Sequence, residues 1–298
     1  MKYFVASDED LRLDAATRPA LRGDFVTLSD GVTHYELTGP DDGELAVLVP
    51  GITIPLSYWD SLAARLHARG LRTLAYSAYG RGCSDRVRGR YDEALFVRQL
   101  AELTAALSPS GPHHVVGTSM GALVAMAYAN LFPETVATLT IVGPAGLGAR
   151  PLPQRLLRND IVAGFVARRF GRKLLEGHLG HNVRDPSLSA RLVAMVQDAY
   201  RYEGSLYAFF QTLQDFPLHE RQDLFRSTGD LGLPVLLVWG DDDRVTPITH
   251  LDTVHELLRP RQTHVITECG HMAPYERPDD VGDLLASFTV PHPERLEP

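Results

Sequence analysis

The sequence predicts an α/β architecture, a mostly parallel and doubly wound sheet carrying an inserted helical cap, and three observations lead there. Short apolar runs without alternation recur along the 298 residues, as expected of strands buried on both faces. Helical patterns alternate with these runs, which is the βαβα order of a doubly wound sheet. Between about Leu147 and Leu231 the alternation lapses into a helical pattern rich in Arg, Leu and aromatics.

Taken in order, Phe25 to Leu28 and Val32 to Leu37 flank Ser29-Asp30-Gly31, a hairpin turn signal, so an antiparallel pair opens the sheet. Buried strands follow at Ala46 to Val49, Leu71 to Tyr76, His114 to Gly117, Leu139 to Val142 and Val235 to Trp239, with a further strand at His264 to Thr267. Helices are expected at Tyr58 to Ala68, Tyr91 to Leu107, Gly121 to Leu131 and Pro278 to Phe288. Gly143-Pro144-Ala145-Gly146 and Pro151-Leu152-Pro153 punctuate the start of the insertion. The expected organisation is therefore a core in two parts, residues 1–146 and 232–298, with a cap over 147–231. The Pro-rich tail Pro291 to Pro298 reads as a loose end.

Composition bounds the function. A chain with 44% hydrophobic and 22% charged residues is ordinarily globular. Its formal net charge of -8 gives no electrostatic footprint for nucleic acid or an anionic membrane surface. Neither partner is expected. The apolar stretch Tyr3 to Ala6 is far too short for a signal segment, and no run approaches a membrane span, so a cytoplasmic protein is expected. Cys83 and Cys269 read as two free thiols.

The strongest motif is Gly117-Thr118-Ser119-Met120-Gly121, where a strand runs into G-x-S-x-G and then into a helix of small residues. A bare G-x-S-x-G recurs by chance in roughly one chain of this length in ten, so its context decides. In a nucleophile elbow the residues two before and two after the serine must be small for the backbones to pass. Gly117 and Gly121 meet that need. A serine hydroxyl needs a base to take its proton and an acid to orient that base, in the chain order Ser, Asp, His. Asp241-Asp242-Asp243 follows the strand Val235 to Trp239, and Gly270-His271 follows the strand His264 to Thr267. Spacing alone leaves Asp242 open beside Asp243. Of the 12 histidines, His113, His114, His178 and His181 read as surface or capping residues.

These motifs resemble the α/β-hydrolase superfamily, capped serine hydrolases of the esterase and lipase kind, from about Phe25 to Phe288. The resemblance implies the α/β-hydrolase fold. Gly240, Asp243 and Pro247 match the family's G-x-x-D-x-x-x-P, which selects Asp243, and Gly270-His271 with Glu276 and Pro278 matches its G-H segment. The implied triad is Ser119, Asp243 and His271. The implied oxyanion donors are the amides of Met120 and Ile52, with Thr53 as the fallback because Pro50 stands where relatives usually carry His. Haloalkane dehalogenases and related epoxide hydrolases need a carboxylate at the Ser119 position, so their chemistry is disfavoured. Gly80, Gly82, Ser84 and Asp85 match the family's G-x-G-x-S-D loop, mainly structural there. Gly143 to Leu147 resembles the cap junction of carbon-carbon bond hydrolases acting on ring-cleavage products, although Thr118 replaces their Asn.

No metal motif and no nucleotide-binding glycine fingerprint is present, so neither metal nor cofactor is expected. The expected function is cleavage of a small apolar carboxylic ester, lactone or thioester through an acyl-enzyme. A carbon-carbon bond hydrolase and a small-molecule receptor on the same fold are the alternatives. Tyr200, Tyr202, Tyr207, Phe209 and Phe210 crowd the cap. They read first as cap core, with Phe209 and Phe210 the candidates for substrate contact.

Overall fold

The computed structural model describes residues 1–108, 111–150, 157, 159–179 and 182–289. His181, the Pro151-Leu152-Pro153 segment and the tail 291–298 lie outside them. Among the described residues one sheet runs in the order β1-β2-β4-β3-β5-β6-β7-β8. Its strands are β1 (Asp24–Thr27), β2 (Val32–Thr38), β3 (Leu45–Val49), β4 (Arg72–Tyr76), β5 (His113–Thr118), β6 (Val136–Val142), β7 (Val235–Gly240) and β8 (Gln262–Ile266). β1 pairs antiparallel with β2, and β2 with β4, while the remaining neighbours are parallel. The opening hairpin and the buried parallel strands are both as the sequence predicts.

The lack of alternation has the expected cause, because every residue of β3, β5 and β7 is buried. β8 is different. It forms the sheet edge, starts at Gln262 and buries only Ile266, so its apolar signal is weak. The helices fall into two packed groups, as a sheet covered on both faces requires. Asp60–Ala68 lies against Pro278–Thr289, whereas Met120–Leu131 lies between Glu93–Leu107 and Gln222–Asp230, the latter also touching Leu251–Leu258. Met120–Leu131 is buried over nearly its whole length, which its MGALVAMAYANL sequence of small and apolar side chains permits.

The insertion between β6 and β7 contains the helices Asp160–Leu179, Pro186–Ala199 and Ser205–Asp215, the first packing on the other two. Gln222–Asp230 was expected in the same unit, yet it packs on helices that flank the sheet. Phe225 is fully buried there, and Asn130 donates to the Thr228 hydroxyl at 2.8 Å. Its buried face, with Leu224, Phe225 and Thr228, packs on the helices Met120–Leu131 and Leu251–Leu258.

The first residues of the chain also join the insertion, a connection that no local pattern announces. The Leu11 amide donates to the Arg201 carbonyl, and the Glu203 amide to that of Leu11. Tyr3 sets its ring edge-on to Tyr207 at 5.0 Å between centroids. The buried Glu9 carboxylate accepts from the amides of Leu206 at 2.7 Å, Gly204 at 2.8 Å and Ala6 at 2.8 Å, which places it at the N-terminus of Ser205–Asp215. Burial raises its carboxyl above the usual carboxylate range although the three amides oppose that shift. An acid whose folded value is raised contributes stability below the usual carboxylate range, and that contribution is lost as pH rises through the raised value. Glu9→Ala orphans all three amides and is expected to cost about 3 kcal/mol in denaturant unfolding. An unchanged midpoint would show that the strap does not secure the helix.

Candidate active site

Thr118 ends β5 and Met120 begins the next helix, so the chain reverses direction within the single residue Ser119. Ser119 takes φ 55° and ψ -119°, a left-handed backbone that an L residue adopts only under strain, at a cost of about 1–3 kcal/mol. Its own amide donates to the Val142 carbonyl at 3.0 Å, tying the turn to β6. The two glycines of the motif have a direct steric reason. A Cβ on Gly121 would run into the carbonyls of Val49 and Pro50, and one on Gly117 into the backbone of Gly121 and Ala122.

His271 and Asp243 meet from loops 28 residues apart in sequence, with Nδ1 to Oδ2 at 2.8 Å and both side chains buried. Asp243 Oδ1 accepts from the amides of Val245 at 2.9 Å and Thr246 at 2.8 Å, while Oδ2 also accepts from the Thr246 hydroxyl at 2.8 Å. Burial works against the Asp243 charge. The imidazole of His271 and the Thr246 donors outweigh burial and hold the carboxyl below its usual range. Asp242 points elsewhere and pairs with Arg244 at 3.2 Å, and Asp241 accepts from the Cys269 amide at 3.2 Å. Among the described residues the hydrogen bonds of the His271 ring use Nδ1, leaving Nε2 open.

Three neighbours hold this pair: Gly143 and Glu276, which the sequence marks only as parts of family segments, and Thr246, which it does not single out. Gly143 adopts φ 46°, and a Cβ there would stand 3.1 Å from Asp243 Oδ2 and 3.4 Å from His271 Nδ1, so the junction glycine leaves room for the pair. Thr246 closes the Asp243 turn; an acid followed three residues later by a hydroxyl was its only sequence signal. Glu276 accepts from the Gly270 amide at 2.7 Å and from the Arg184 amide at 2.6 Å, which binds the histidine loop to the insertion.

Beside Ser119 lies the loop after β3, where a Cβ on Gly51 would stand 3.4 Å from the Ser119 Cβ. The amides of Ile52 and Met120 make no hydrogen bond to another group among the described residues. The Ile52 carbonyl, by contrast, is anchored. It accepts from Nε of Arg81 at 2.8 Å, and the same guanidinium donates to the Tyr79 carbonyl at 3.0 Å and to the Thr212 hydroxyl at 2.8 Å. Arg81 is wholly buried against Tyr91 and Phe96, and burial lowers its pKa. Within the G-x-G-x-S-D segment it had no distinguishing sequence signal. One side chain thus fastens the Ile52 loop to the helix Ser205–Asp215. Lysine presents a point charge and cannot reach all three acceptors. Arg81→Lys is therefore expected to lower stability by about 2 kcal/mol in urea unfolding, and a variant as stable as the parent would show that these bonds carry no net weight.

A cavity of about 720 Å³ opens on Ser119 and Ile52, with Leu147, Leu174, Phe209 and Phe210 among its apolar walls and His178, His219 and His250 among its polar ones. Phe209 and Phe210 also pack edge-on at 5.4 Å, so they are core and cavity wall at once. Tyr200 and Tyr207 are buried away from the cavity. His178 was expected at the surface and instead lines this cavity. His113 and His114 depart from the same expectation: both are buried in β5, held by the Ser108 carbonyl at 2.9 Å and the Thr138 hydroxyl at 2.9 Å. Cys83 and Cys269 are free, as predicted, and burial pushes the Cys269 thiol far above its usual range. No helix among the described residues is long and apolar enough to cross a membrane.

Comparison with known proteins agrees with this geometry. The chain is 27% identical over 272 residues to a 2-hydroxy-6-oxo-6-phenylhexa-2,4-dienoate hydrolase of Comamonas testosteroni, covering 88% of this chain and 92% of that one. Its fold matches a thermophilic esterase from Thermogutta terrifontis with a TM-score of 0.76 at 20% identity, over 89% of this chain and 98% of the other. It matches a meta-cleavage product hydrolase from Pseudomonas fluorescens with a TM-score of 0.69 at 22% identity, over 89% and 97% of the two chains. Residues 47–278 match the family model described as alpha/beta hydrolase fold. The chain therefore belongs to the α/β-hydrolase family and is a hydrolase.

Proposed function

We propose that the protein hydrolyses neutral carboxylic esters with an apolar acyl group through a covalent acyl-enzyme on Ser119. The observation that carries this reading is the strained Ser119 on the wall of an apolar cavity, its amide bonded to Val142 next to Gly143, the residue against which the buried His271–Asp243 pair packs. In the reaction Ser119 Oγ attacks the ester carbonyl and its proton passes to His271 Nε2, while Asp243 stays ionised and stabilises the imidazolium. The amides of Met120 and Ile52 receive the developing oxyanion, and the positive end of the helix Met120–Leu131 adds to that field. The alcohol leaves with the proton held by His271. Water then attacks the acyl-enzyme by the same route and releases the acid. The helices Asp160–Leu179, Pro186–Ala199 and Ser205–Asp215 act as a cap that selects the acyl group, and Phe209 and Phe210 contact it.

A second reading is carbon-carbon bond cleavage, favoured by the similarity to the dienoate hydrolase over most of both chains. That substrate carries a carboxylate, whereas the lining of the cavity is mostly apolar, with His178, His219 and His250 among its polar groups and Arg150 near His219. The apolar lining is the ground on which the ester reading is preferred. Stopped-flow hydrolysis of p-nitrophenyl butyrate tests the choice. A burst matching the enzyme concentration followed by turnover is the expected result, and cleavage of the dienoate without turnover of any ester would reverse the preference.

A further inference from the structure

Among the described residues, five of the eight exposed large apolar side chains sit on one helix, Asp160–Leu179: Ile161, Val162, Phe165, Phe170 and Leu174. Ile161 is 83% and Phe165 63% exposed. The opposite face of this helix already packs inward through Ala163, Ala167, Gly171 and Leu175. The outward stripe is thus a second apolar surface, beyond what the fold needs from this helix. Four cations, Arg168, Arg169, Arg172 and Lys173, share the helix with only two acids, Asp160 and Glu176. Arg172 is engaged by Asp8 and Arg168 by the Gly164 carbonyl, whereas Arg169 and Lys173 make no ion pair among the described residues. Lys2 stands beside Ile161, Phe165, Arg168, Arg169 and Asp160 in a shallow groove, Asp160 being paired with the N-terminal ammonium at 3.0 Å, so both lysines of the chain belong to this region.

We propose that this helix face docks on an anionic phospholipid surface, its apolar side chains entering the acyl boundary and Arg169, Lys173 and Lys2 meeting the phosphates. The charge distribution makes the case: a chain of net charge -8 gathers unpaired cations beside five of the eight exposed large apolar residues among those described, Ile161 the most exposed of them. That is the composition of a helix lying in a lipid interface. A second copy of the chain fits less well, because a two-fold contact through this face would bring the same cations against each other. The face also continues into the catalytic cavity, since Val162 and Leu174 belong to both. A membrane beneath the helix would therefore lie at the cavity's mouth, from which an acyl ester could reach Ser119. That last step rests on the proposed esterase reading, whereas the docking does not.

The test is co-sedimentation of the full chain carrying Ser119→Ala, so that no lipid is consumed. Vesicles are either pure phosphatidylcholine or one-third phosphatidylglycerol. Binding to the anionic vesicles, weakened by salt, is the expected result. The double variant Arg169→Gln/Lys173→Gln is expected to bind about thirtyfold more weakly, and Phe165→Ser/Phe170→Ser to lose binding altogether. None of these four residues lines the cavity, so hydrolysis of a short soluble ester by the same variants in an otherwise native chain stays at the parent rate. That control separates failure of docking from failure of the esterase reading. Vesicle binding equal for parent and variants would overturn the proposal. So would a dimer, seen by light scattering, that dissociates in Phe165→Ser/Phe170→Ser while no form binds vesicles, because a second copy would then cover the face.

Discussion

Ser119→Ala and His271→Ala are each expected to lower ester turnover by about 10⁴-fold or more, and the double variant to be little worse than either. The expectation follows from the geometry at the elbow. Ser119 faces the cavity on a backbone that only its surrounding bonds sustain, and His271 Nε2 is the ring nitrogen left open. A nucleophile without its base and a base without its nucleophile fail at the same step, so the two losses cannot add. A fluorophosphonate should label the parent protein once per chain and leave Ser119→Ala unlabelled. Additive losses in the double variant would remove His271 from the role of base, and labelling that survives Ser119→Ala would remove Ser119 from that of nucleophile.

Asp243→Asn is expected to lower turnover by orders of magnitude with the fold intact, while Asp242→Asn leaves it nearly unchanged. The isosteric amide can still sit in the turn formed with Val245 and Thr246. It cannot stabilise an imidazolium, and its NH₂ face turned toward Nδ1 selects the wrong tautomer. Asp242 is partnered by the exposed Arg244, and a surface pair of this kind is worth about 1 kcal/mol or less. Turnover is measured beside thermal unfolding, so that a chemical loss is distinguished from a folding loss. Loss of activity in Asp242→Asn with a fully active Asp243→Asn would shift the acid by one position.

Much of this was legible in the amino-acid sequence because the relevant constraints are local. Buried parallel strands must be apolar on both faces, and β3, β5 and β7 carry that requirement in consecutive residues. The elbow demands small residues two positions either side of Ser119, and the clash that a Cβ would cause at Gly117 or Gly121 is the cause of the motif. Other features depend on which distant segments meet, and no local pattern encodes that. The sheet order places β4 between β2 and β3. Spacing alone left Asp242 open beside Asp243, and the hydrogen bonds of the folded loop are what turn Asp243 toward His271 and Asp242 toward Arg244. Arg81, drawn between Ile52 and Thr212 from segments far apart in sequence, is an unremarked residue until the chain is folded. The same holds for Glu9, whose three amides come from both ends of a long detour through the core. Gln222–Asp230 reads as one more helix of the insertion, yet its packing on Met120–Leu131 and Leu251–Leu258 is decided by the folded chain. Periodicity and steric motifs act over a few residues and can be read directly, whereas buried polar contacts are decided by tertiary proximity, because a charge or amide removed from water must find its partner wherever the fold provides one.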